Sequence, residues 1–366
     1  MNRESARKLI LNVLSVSVAL LIAGGLALSA LKGTPASNAL KEKYGGIFGQ
    51  RSGSRGEETA ASVTPQTEKP TQSAAPTFVT GIADIGHEHA IVLLAVGRAA
   101  ASGNGRKGRC DVGSWSGLVE VAAGYDFSLG LRSDGTVLMA GEDPLVSKEA
   151  IALWRDVVHI SANASSVIAL DSAGRVFVEG GRTTSSKPNG IRYVLPDEIA
   201  SRTDAVAVAA GKAHLAVLFA DGTCAAFGSD IGNSCAVGSW RDVAAIAAGV
   251  NGTVGLTKDG RVLYTGVDNY GQSAFNGITG AAAVAYKGWH IVCLMEDGSA
   301  AAYGWSDNDR CAVEQWAGKS IVGIAASGWN SLAVFADGTV SLIGHKAIIG
   351  VIDTSAFMNV RTRPRD

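Results

Sequence analysis

Proline is scarce in this chain, with 8 among 366 residues, and charge is sparse and evenly matched, 32 Lys and Arg against 33 Asp and Glu. Phosphate backbones are gripped by clustered cations, so a formal net charge of -1 speaks against a nucleic-acid partner. The 5 cysteines are an odd number that a monomer cannot pair completely, and no disulfide framework is expected. Nucleophile elbow, Walker loop, HExxH and EF-hand patterns are all missing. Catalysis therefore has no motif to rest on, and neither a cofactor nor a metal is expected. The 46 glycines beside so few prolines exclude collagen and a Pro-rich stalk, and fit many tight turns between short strands.

One long apolar run exists. Residues 9–31 hold 23 uncharged positions between Lys8 and Lys32, about 34 Å as a helix, against a hydrocarbon core of roughly 30 Å. The favoured reading is an uncleaved membrane anchor behind a short basic tail, 1–8. The alternative is a cleaved signal peptide, with Ala27 and Ser29 as the small cleavage residues, although the apolar run is longer than signals use. Arg3, Arg7 and Lys8 are matched by Lys32, Lys41 and Lys43 beyond the span, so charge hardly orients it. A cytoplasmic N-terminus with the bulk of the chain outside the cell membrane is the expectation, because a short tail before a long soluble domain is the common single-span arrangement. Residues 32–76 are polar and small, unable to bury enough surface to order themselves, and read as a flexible linker.

From residue 78 the chain repeats itself. Aligned on the turn glycine of "SDGTV", the units are marked by Gly97, Gly135, Gly174, Gly222, Gly260, Gly298 and Gly338, spaced 38, 39, 48, 38, 38 and 40 residues apart. The long interval predicts an insertion within RTTSSKPNGIRYVLPDEIASRTDA. Each marker is followed six residues later by a second glycine. Apolar residues stand four and six before it, as in Leu131 and Leu129 or Leu256 and Val254. Apolar positions two apart indicate strand. Another apolar site fourteen before the marker opens a short first strand, and Asp-Gly at five markers signals a hairpin. Each unit thus offers three strands and an irregular segment available for a fourth. A sheet this small cannot bury both faces alone, so the units must stack around a ring. The expected fold is all-β, a seven-bladed propeller over 78–352 with a tail at 353–366, monomeric.

The pattern VAAGxxxSLxLxxDGxVxxxG, with "DNYGQ" at 268–272, resembles the repeat of the regulator of chromosome condensation family over 78–345. The short period and the connectors "RCDVGSW" and "SCAVGSW" are similar to its compact bacterial branch, to which the β-lactamase inhibitory propeller belongs. The eukaryotic namesake binds chromatin and exchanges nucleotide on a small GTPase, but this chain shows no basic segment for a nucleosome. The bacterial branch implies a scaffold whose loop face grips another protein. The resemblance also implies that the slot eight before the marker, filled by His89, His214 and His290, is a structural hydrogen-bonding position.

In an antiparallel blade the loops between strands one and two leave by the same face as those after strand three, while the Asp-Gly hairpins leave by the other. The first face collects Tyr125, Trp289 and Trp329 from one set of loops and Tyr270 and Trp305 from the other, flanked by Asp268, Asn269, Asp307, Asp309 and Asn330. Trp115, Trp154, Trp240 and Trp316 share a repeated connector slot and read as packing. Trp289, Trp305 and Trp329 fall outside the common pattern, and aromatic rings beside polar groups suit a protein-binding site. The first reading of function is a membrane-tethered, non-enzymatic recognition module of a bacterial cell surface. A second reading has the same rings stack on cell-wall glycan. A third is a carbohydrate-active enzyme using Asp143, Asp230, Asp268 and Asp307, which would need paired carboxylates at ~5 to 10 Å.

Overall fold

The computed structural model describes residues 81–362 apart from 185, 186, 347–349 and 351. The predicted tail, membrane span and linker at 1–76 lie outside these residues; among the described residues no helix is long and apolar enough to cross a membrane.

Seven separate antiparallel sheets follow one another along the chain, one per repeat. The first strands, from Ala83–Ile85 through Leu118–Ala123 to Ile321–Ala326, each touch the first strand of the next sheet, and the last touches that of blade one, so the ring is closed. The middle strands are sandwiched. All residues of His89–Leu93, His214–Phe219 and Asn330–Phe335 are buried, on both faces of the sheet, as face-to-face stacking demands. The connector tryptophans lie 1–9% exposed. Trp115 and Trp240 cover Gly130 and Gly255 of the middle strands, where an added Cβ would come within 3 Å of the indole.

Four strands per blade were available in the repeat, but among the described residues six blades carry three and only blade three carries four. The inserted segment is responsible: strand Val176–Thr184 runs past its glycine and folds back through Lys187–Arg192, followed by a short helix, Asp197–Ala200. In other blades short 3-10 turns follow the third strand, as at Arg106–Gly108 and Ile231–Asn233, and in blade two the helix Lys148–Ala152 does.

The ring is sealed by residues beyond the repeat. Blade one's first strand is only three residues long, and Val360 bridges Leu94 in the register that Leu118 holds opposite Arg132 in blade two. The Arg361 amide donates to the Leu93 carbonyl, and the Ala95 amide to that of Asn359. Ile352, Phe357 and Val360 are at most 4% exposed, within the core shared by blades seven and one. Burying three such side chains is worth about 1.5 to 3 kcal/mol each, so the C-terminal segment contributes substantially to closure.

The second glycine of each repeat has positive φ and, except for Gly180 in blade three, ends the third strand; at Gly266 φ is 137°, and a Cβ there would meet the Asn251 carbonyl oxygen and the Gly252 Cα at 2.4 Å. Both features penalise any larger residue. Gly266→Val should therefore lower stability by about 2 kcal/mol or more, read as a fall in the urea midpoint without loss of β-sheet circular dichroism. An unchanged midpoint would contradict the role.

Candidate binding face

The loops joining first to second strands converge around one mouth of the central channel. The channel itself, about 320 Å³, is walled by the small residues of the first strands, many of them alanine, with Glu120 and His159 paired at 2.7 Å inside it. A smaller pocket of about 160 Å³ lies at the mouth, lined by Tyr125, Lys212, Lys287, Trp289 and Trp329 among others. Lys287 divides the two. Its ammonium pairs with Asp84 at 2.7 Å and donates to the Ala123 carbonyl, while Asn163 Nδ2 donates to the Lys287 carbonyl at 2.9 Å. One lysine of blade six thereby ties blades one, two and three across the axis. Burial lowers its pKa, and Asp84 opposes that shift.

Aromatic residues of blades five to seven form a continuous array beside this mouth. Trp289 meets Tyr270 edge-on at 5.9 Å, Tyr270 stacks on Trp305 at 5.4 Å, Trp305 tilts against Trp329 at 5.5 Å, and Trp329 meets His345 at 5.5 Å. The three tryptophans are half-buried and Tyr270 is 43% exposed. Under the rings lies Arg310, its guanidinium 4.1 Å from the Trp305 centroid and 5.2 Å from that of Trp329. Cation–π attraction favours that placement. Burial lowers the Arg310 pKa, yet the group stays charged at any ordinary pH.

Loops from two different strand junctions thus share one face, and four of the expected site residues, Tyr270, Trp289, Trp305 and Trp329, come together. Tyr125 lines the same mouth but packs on His87 at 5.1 Å, apart from the array. Asp268 is exposed and accepts from the Ser273 amide at 2.8 Å, Asn269 is exposed, and Asp307 is exposed while its carbonyl accepts from Arg310 Nε at 2.7 Å. Asn330 differs from the expectation: it is fully buried, and its Oδ1 accepts from the His345 amide at 2.9 Å, so it holds the loop. Asp143 and Asp230 are engaged with the amides of Leu145 and Cys235 in their own loops. Arg310, Lys212, Lys287 and His345 were missed. Arg310 had a visible signal, because it stands twelve residues after its marker, as Arg109 does.

The shared histidines are blade-to-blade fasteners. Nε2 of His89, His214 and His290 lies 3.0, 2.9 and 2.6 Å from the hydroxyl of Ser128, Thr253 and Ser331 on the next blade. Each hydroxyl donates onward to the carbonyl of Arg109, Ser234 or Arg310. Among the described residues no cluster of His, Cys, Asp and Glu could hold a metal. All five cysteines are free, and burial pushes the Cys224 and Cys293 thiols up to about 12.

No family model and no curated protein matches the chain. Solved structures do. Prp20p from Saccharomyces cerevisiae, described with its binding to Gsp1p and histones, is 17% identical with a TM-score of 0.51, over 67% of this chain and 77% of that one. The complex of Kap60 with the same yeast protein aligns at 14% identity and 0.53, over 85% and 91%. The fold is a seven-bladed propeller of the regulator of chromosome condensation type. The CRINKLY WD40 ectodomain of the Arabidopsis thaliana receptor kinase ACR4 aligns with this propeller at 14% identity and 0.56, over 77% and 98%.

Burial lowers the pKa of His89 and His290 to about 3 and of His214 to about 4, below the unfolded value near 6.5. The unfolded chain binds the extra protons, so these groups contribute stability above about pH 6.5 that drains away as pH falls toward 4. The urea midpoint should drop over that window, and His214→Asn should flatten the drop; a midpoint level between pH 7 and 4 would contradict the fastener role.

Proposed function

We propose that the chain is a non-enzymatic recognition module that binds a protein through the aromatic face of blades five to seven and is held at a cell membrane by residues 9–31. The observation that carries the reading is the array itself: four large rings from two sets of loops, half-exposed, on the face that surrounds the channel mouth. Rigid rings supply contact area at low entropic cost and dominate protein interfaces. Protein partners for such a scaffold agree with the neighbours of the same fold, one described with Gsp1p and histones and again with Kap60. The uncharged length of 9–31 supports the anchor. Glycan stacking on the same rings is the second reading, supported by the carboxylates of Asp268 and Asp307 at the array's edge.

The test uses the full chain and its Trp289→Ala, Trp305→Ala, Trp329→Ala triple variant, recovered from carbonate-washed membranes and offered surface extract with and without protease digestion. The reading predicts that both forms stay with the membranes and that only the native chain captures material, lost on digestion. Capture that survives digestion supports glycan; equal capture by both forms overturns the face; release by carbonate overturns the anchor.

A further inference from the structure

The three extra tryptophans occupy places whose chemistry is visible elsewhere in the ring. At the junction of blades one and two, Arg109 is 1% exposed and fully partnered. Its Nη2 pairs with Glu88 at 3.0 Å and its Nη1 with Asp126 at 2.9 Å, and Asn104 Nδ2 donates to Glu88 at 2.8 Å. Glu88 and Asp126 each stand nine residues before their marker glycines, and Asn104 stands seven after. At the junction of blades six and seven those positions are Trp289, Trp329 and Trp305.

The arginine itself is kept. Arg310 stands at the offset of Arg109, its Nη1 donates to the carbonyl of Gly328 as that of Arg109 donates to Tyr125, and its own carbonyl takes the same serine relay. Arg310 is 0% exposed, and its Nη2 has no hydrogen-bond partner. Among the described residues it makes no ion pair; the nearby Asp307 carboxylate favours its charge without contacting it. The junction of blades four and five supplies the control. There the arginine position is Ser234 and the two carboxylate positions are Ala213 and Asn251, so cation and anions are lost together. Blades six and seven alone keep the cation and discard both anions.

A buried guanidinium without an anion is a costly arrangement to retain unless the anion comes from elsewhere. We propose that Arg310 receives the carboxylate of an acidic side chain on a protein partner, seated between the indoles of Trp289 and Trp329 where Glu88 and Asp126 flank Arg109. This rests on reading the aromatic face as the binding face. The sister junction shows the approach: Glu88 and Asp126 are 35% and 34% exposed, so the anion side of the arginine faces solvent once half-buried rings part. A carboxylate is favoured over a phosphate because exposed Asp307 and Asp309 on the same loop repel a more highly charged anion, and because the junction of blades one and two fills this geometry with carboxylates.

The test titrates the full chain in mild detergent with the peptide acetyl-Gly-Glu-Gly-amide, its Gln counterpart, glucuronate and inorganic phosphate, reading tryptophan fluorescence. The Glu peptide should give a saturable, salt-sensitive change, about tenfold weaker or more with Gln and lost in Arg310→Gln. Trp329→Asp, which returns the carboxylate that Asp126 gives Arg109, should lose the response and unfold at higher urea than Trp329→Asn. Equal response to the two peptides, a response only to phosphate or glucuronate, or Trp329→Asp no more stable than Trp329→Asn overturns the inference. If the native chain ignores the peptide yet still captures protein through its tryptophans, the carboxylate inference falls and the binding face stands.

Discussion

A small sheet with two apolar faces has nowhere to bury both except between two others like itself, and the whole molecule follows from meeting that demand seven times. Middle strands such as His214–Phe219 are buried along their full length only because a neighbouring blade lies on each side. The demand has no natural end on a line, so the chain must close. Val360 and Phe357, from outside the repeat, complete blade one and fill the seam. The histidine relays then fix each blade's angle to the next at three of the junctions.

The blades were legible because strand period, turn glycines and repeat length are local and act on every copy alike. Face assignment follows from strand direction, which alone sets Tyr270 and Trp305 on the same face as Trp289 and Trp329. The fourth strand of blade three and the closing role of Val360 were not legible. Both depend on where a chain end or insertion comes to rest, and neither Lys187–Arg192 nor the residues around Val360 carries the repeat's pattern. Asn330 misled for a related reason: a polar residue beside an aromatic loop suggests a ligand, whereas burial gives its oxygen the His345 amide. Arg310 was overlooked because its meaning lies in a comparison between junctions, in which the informative residues are the carboxylates that are not there.

Symmetry made the site. The in-phase repeat lets one junction be measured against another, and blades six and seven differ from blades one and two in concert: where one junction has two carboxylates and an amide the other has three indoles, above the same arginine. Indoles compensate the charge in part through their faces, at the cost of leaving one guanidinium nitrogen without a partner. On the opposite face the Asp-Gly hairpins are closed by their own side chains, as Asp134 accepts from the Thr136 amide at 2.9 Å and Asp297 from that of Ser299 at 2.9 Å.

The claim that one face carries recognition is tested most directly by hydroxyl-radical footprinting of the full chain with and without saturating surface extract. The account predicts protection of Tyr270, Trp289, Trp305 and Trp329, with the hairpins around Gly260, Gly298 and Gly338 unchanged. Protection of those hairpins with the four rings left reactive would contradict it.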